Sequence, residues 1–122
     1  MPSPVEHTQP EIENDIDQLV RMFDGSVENA AKFAVGCGHT YYLRGLLPRL
    51  NVSEAEKDSL LADCLLSSAS QCDHWAIAIE SRSDGVSIKM GVSAPGLRLE
   101  ADKLKKQAYL LKNKYLLKNK IV

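Results

Sequence analysis

Cys72-Asp73-His74-Trp75-Ala76-Ile77-Ala78-Ile79-Glu80-Ser81-Arg82-Ser83-Asp84-Gly85-Val86-Ser87-Ile88-Lys89-Met90-Gly91-Val92 is the stretch on which the fold class turns. With a period of two, Trp75, Ile77, Ile79, Val86, Ile88, Met90 and Val92 share one face, and Asp84-Gly85 suits the positive φ angles of a type I′ turn. That turn sets Glu80 directly across from Lys89, an opposite-charge pair in the same register. A β-hairpin over residues 75–93 is therefore expected, and with it an α+β domain, mainly helical. With the helical period instead, Cys72, Trp75, Ala76 and Ile79 extend the preceding helix to residue 83, with Gly85 as its C-cap, and the alternative is an all-α bundle.

Upstream, Pro48 disfavours helical geometry at Leu47, and Ser53 three residues before Glu56 is a capping box. A third helix follows, with Leu60, Leu61, Cys64, Leu65, Ala69 and Cys72 on one face and Glu54, Glu56, Asp58 and Asp63 making it acidic. Nearer the N-terminus, Ile12, Ile16, Leu19, Val20 and Phe23 form the stripe of a first helix that ends at Asp24-Gly25. Ser26 caps a second helix that runs toward Pro48. In it Ala30, Ala34 and Gly38 form a row of small side chains that lets another backbone approach, and a kink is expected near Gly36. Downstream, Ser93-Ala94-Pro95-Gly96 breaks the pattern before a C-terminal helix over 97–121. Leu97, Ala101, Leu104, Ala108, Leu111 and Tyr115 fall at alternating four- and three-residue steps, a coiled-coil-like seam. Residues 1–9 read as a flexible leader and 10–122 as a single domain.

The 122 residues are 44% hydrophobic and 25% charged with a formal net charge of −1, the size and apolar content of one globular domain. Residues 1–94 carry 7 basic and 14 acidic side chains, whereas residues 95–122 carry 8 and 2. Such a split fits either complementarity between body and tail or a basic tail offered to an acidic partner. The longest stretch without a charge, Phe33 to Leu43, is too short for a membrane span. No basic residue precedes Arg21, and Cys37, Cys64 and Cys72 are an odd set, so a cytoplasmic protein with reduced thiols is expected.

The candidates for chemistry are few. Cys37-Gly38-His39 and Cys72-Asp73-His74 supply the ligand types of a zinc site, but one residue between ligands does not match zinc frameworks. Gly36-Cys37-Gly38 lacks the further glycine and the strand-to-helix setting of a nucleotide fingerprint. No catalytic residue and no cofactor is expected, and the chain reads as a non-catalytic interaction, regulatory or adaptor protein. Its partner surface is expected on the C-terminal helix, at Tyr109, Leu110, Lys112, Leu116 and Leu117, where leucines lie outside the seam, and at Tyr41, Tyr42 and Arg44. A homodimer is the expected assembly. The alternative is nucleic-acid binding, winged-helix-like or through the lysine-rich tail; the acidic third helix opposes the former by phosphate repulsion.

Overall fold

The computed structural model describes residues 9–81 and 93–120, with the side chains of Gln9 and of residues 115–120 left aside. Helix α1 (Gln9–Met22) turns Ile16 and Leu19 into the core. It stops where Asp24 and Gly25 adopt positive φ angles of 54° and 82°. The Asn29 N–H then donates to Ser26 Oγ at 3.1 Å, and this cap starts α2 (Val27–Cys37), which buries Ala30, Ala31 and Ala34.

The second expected helix does not run on toward Pro48. It ends at Gly38, two residues beyond the expected kink, with φ 70° and with the His39 N–H reaching back to the Ala34 carbonyl at 2.9 Å. A new helix, α3 (Thr40–Leu46), follows and passes into a 3-10 turn at Leu47–Arg49. Gly38 meets two demands there. A left-handed backbone favours glycine, and a Cβ at this position would lie 2.7 Å from the Ser68 backbone nitrogen. The row Ala30, Ala34, Gly38 is thus approached by another backbone, as its small side chains allow, and the Cys64 thiol donates to the Ala34 carbonyl at 3.5 Å in the same contact.

That neighbour is α4 (Glu54–Glu80), opened by Ser53, whose Oγ accepts from the Glu56 N–H at 3.1 Å. At 27 residues it is about 40 Å long. The last long helix, α5 (Ala94–Lys120), begins three residues before the expected start. One face of the N-terminal half of α4 packs on α1–α3 around Ile16, Leu43, Leu46 and Cys64. Another face packs on α5, where Ala62, Leu65 and Ala108 are buried together with Leu61, Leu104 and Leu111 against them.

The expected hairpin is overturned. Trp75, Ile77 and Ile79 lie on the continuous helix α4, and among the described residues every regular element is helical, so the fold is an all-helical bundle and not α+β. Ala62, Ala69 and Ala76, seven residues apart, are fully buried, as are Ala101 and Ala108 on α5 with Ala94 close behind. Glu80 pairs with Arg98, Asp73 with Lys105, Asp63 with Lys112 and Asp58 with Lys114. One set of numbers falls as the other rises, so α4 and α5 run antiparallel. Glu80 therefore meets Arg98 where a hairpin would have given it Lys89. The strand pattern misleads because Trp75 and Ile77 are apolar without being core: each stays 58% exposed, and Ala76 between them is the buried residue. Arg82–Val92, including Asp84-Gly85, and residues 1–8 of the expected leader lie outside the described residues.

Substituting Gly38 by Ala is predicted to destabilise the fold by about 3 kcal/mol, because left-handed strain adds to a collision with the α4 backbone. Gly25→Ala, with positive φ but open space around it, should lose only about 1 kcal/mol. Urea denaturation of the two variants measures the difference.

Candidate protein-binding groove

Leu43 and Leu46 turn one side of α3 into the core, which leaves Tyr41 and Arg44 on the outer side, above Pro48. Arg44 is the hinge of this surface and lines three adjoining depressions. Toward α1 it meets Ile12, Glu13, Ile16, Tyr41 and Arg49. Toward the start of α4 it meets Leu47, Glu54, Lys57, Asp58 and Leu61. Toward α5 the depression is lined by Leu61, Leu65, Gln107, Leu110, Leu111 and Lys114. Three helices so converge on an apolar floor with polar and cationic groups at its edge, a form that suits the apolar face of a partner helix.

The structure brings together two groups of residues that are far apart in sequence. Arg44 and Leu110 line the same depression, and Tyr41 adjoins it across Arg44. Leu110 is 68% exposed and Tyr109 66%. Tyr109 lies on the far side of Leu110, in a separate hollow with Lys105 and Lys106. Lys112 is engaged elsewhere, 3.1 Å from Asp63. Tyr42 is half-buried against the core rather than offered to solvent. Helix α5 continues through Leu116 and Leu117, whose side chains lie outside the described residues. Leu61, Leu65 and Leu111 complete the floor. They read in the sequence as core or seam positions, and only the meeting of three helices shows that their edges line a groove.

The aromatic residues near this site have a structural part to play. Phe23, Phe33, His39, Tyr42 and Tyr41 form a chain of neighbouring rings, with successive centroids 5.3, 6.3, 5.9 and 5.3 Å apart. His39 is held between Phe33 and Tyr42, away from any ligand cluster. Among the described residues no group of three His, Cys, Asp or Glu side chains converges as a metal site would require. Cys37 ends α2, with its carbonyl accepting from the Gln71 amide at 2.6 Å, while Cys72 and His74 stand on α4. The two Cys-x-His pairs are not assembled into one site.

Among the described residues four groups have clearly shifted proton affinities, all upward. Burial raises the Cys64 thiol pKa, opposed in part by the Arg44 charge. Burial and then the charges of Glu100 and Asp73 raise that of Cys72. Desolvation, followed by the hydrogen bond to Asp15 Oδ2 at 3.0 Å, raises the Tyr41 hydroxyl. The hydrogen bond to Asp73 raises Lys105. A raised pKa disfavours the thiolate form at Cys64 and Cys72.

A raised folded-state pKa means that the folded chain holds the proton more tightly, so its stabilisation is present below the unfolded value and lost as pH rises through the folded one. Thermal unfolding followed from pH 8 to pH 11 should show a falling midpoint, and Cys64→Ala, although less stable at pH 8, should show a shallower fall. No family model, curated protein or solved structure matches this chain.

Proposed function

We propose that this chain is a non-catalytic, helical protein-binding module, an adaptor or regulatory protein that associates with a partner protein or a second copy through the groove between α3, α4 and α5. The observation that carries this reading is Leu110, a large apolar side chain exposed at the edge of a depression floored by Leu61, Leu65 and Leu111 and bordered by Arg44. Leu110 offers an apolar anchor, the floor receives one, and the polar border sets orientation. A cytoplasmic setting accords with three cysteines that remain free thiols. No described helix is long and apolar enough to cross a membrane.

The nucleic-acid reading has less support. Arg98, Lys105, Lys112 and Lys114 on α5 are each within 3.3 Å of a carboxylate on α4, so much of the basic tail is neutralised within the chain. Binding phosphates would require those pairs to be exchanged. A winged-helix arrangement also needs a strand where Trp75–Glu80 is helical.

Leu110→Glu should leave the thermal midpoint of the chain within about 4 °C of wild type, since the residue is exposed. Leu65→Glu, which puts a charge at a buried position, should lower stability by about 3 kcal/mol or more. Any self-association seen by sedimentation equilibrium should weaken in the Leu110→Glu chain. A dimer of undiminished strength in that variant would place the interface away from the groove.

A further inference from the structure

The cations of this surface are not all in the same state. Arg49 pairs with Asp17 at 2.6 Å, Lys57 with Glu54 at 3.4 Å, Lys105 with Asp73 at 2.9 Å and Lys114 with Asp58 at 3.3 Å. Arg44 and Lys106 differ: among the described residues neither has a carboxylate within ion-pair distance. These two unmatched cations flank Leu110, Arg44 in the depression on one side of it and Lys106 in the hollow on the other.

We infer that the groove receives an acidic amphipathic helix of another protein, whose apolar residues pack around Leu110 on the Leu61–Leu65–Leu111 floor and whose carboxylates pair with Arg44 and Lys106. The inference rests on the protein-binding reading of the groove and adds the chemistry of its occupant. Arg44 is suited to the part, because a guanidinium can engage a carboxylate through two parallel hydrogen bonds. A second copy of this chain is a poorer occupant. An isologous dimer centred on Leu110 would bring the Arg44 and Lys106 charges of both copies together. The chain's own acidic amphipathic helix, α1, already has Ile16 and Leu19 buried in the core and cannot offer them to a neighbour.

The test uses the full chain and random 16-residue peptides displayed on their encoding messenger RNA. Peptides are selected on wild type, depleted on the Arg44→Glu, Leu110→Glu double variant, then synthesised and titrated against single variants whose fold is checked by circular dichroism. The selected peptides should carry Asp or Glu beside apolar residues three and four apart. Arg44→Glu should weaken them at least tenfold, Arg44→Ala and Lys106→Glu less, with affinity falling as salt rises. A Glu→Lys change in the peptide should recover binding to Arg44→Glu. Peptides that lack carboxylates and ignore Arg44→Glu but are lost with Leu110→Glu would overturn the acidic occupant and leave the groove standing. If no peptide depends on either residue, the groove reading fails as well. Two further results would overturn the inference: Arg44-dependent binding to phosphatidylserine vesicles, which would make the occupant a membrane, and a tight dimer abolished by Leu110→Glu, which would make it a second copy.

Discussion

Ala62, Ala69 and Ala76 on α4 and Ala94, Ala101 and Ala108 on α5 are all buried, and the close approach permitted by these small side chains is the constraint on which the rest of the structure depends. A seam of alanines brings backbones nearer than leucines would, and Leu61, Leu65, Leu104 and Leu111 fill the space beside it toward Ala62 and Ala108. It also fixes α4 as a continuous helix through Glu80, since a break before Ala76 would lose the last contact of the seam. The other face of α4 must then serve the N-terminal helices, and it does so by a second close approach, Gly38 against Ser68. One helix so holds two packing units together, and the groove lies where the units meet.

The charge split of the chain becomes intelligible in the same frame. An acidic α4 and a basic α5 in antiparallel register match Asp58, Asp63, Asp73 and Glu80 with Lys114, Lys112, Lys105 and Arg98. All are partly exposed, and such pairs contribute only about 0.2–1 kcal/mol each. Their greater effect is on register and on what remains unmatched. Of the described cations lining these depressions, Arg49, Lys57, Lys105 and Lys114 are paired, and Arg44 and Lys106, beside the exposed Leu110, have no carboxylate within ion-pair distance. On the proposed reading, affinity for a partner is set by a few groups rather than by the net charge of the tail.

Much of the helical framework was legible in the sequence. The stripe from Ile12 to Phe23 and the caps at Ser26 and Ser53 act over one or two turns, and local chemistry determines them. The alternating steps of Leu97, Ala101, Leu104, Ala108 and Leu111 also marked the seam on α5. The segment from Trp75 to Glu80 was misread because its largest apolar side chains are exposed and its smallest is buried, so alternation of hydrophobicity pointed to the wrong period. The heptad of Ala62, Ala69 and Ala76, matching that of Ala94, Ala101 and Ala108, was the signal that could have corrected it. The break at Gly38 depends on the passage of α4 and not on local propensity alone. Of the groove, Arg44 and Leu110 were readable as expected partner contacts; their meeting depends on tertiary packing, as does the inclusion of Leu61, Leu65 and Leu111.

The close alanine seam is tested most directly by enlarging it. A leucine in place of a buried alanine needs room that closely approached backbones do not leave, so it overpacks the seam and destabilises, whereas at an exposed helical position the same change meets nothing. The measurement is the unfolding free energy of Ala69→Leu beside that of Ala55→Leu, which has the same heptad position but lies exposed near the start of α4. A loss of about 1–3 kcal/mol is expected for Ala69→Leu and a change within about 0.5 kcal/mol for Ala55→Leu. An Ala69→Leu chain as stable as wild type, or more so, would contradict the close seam.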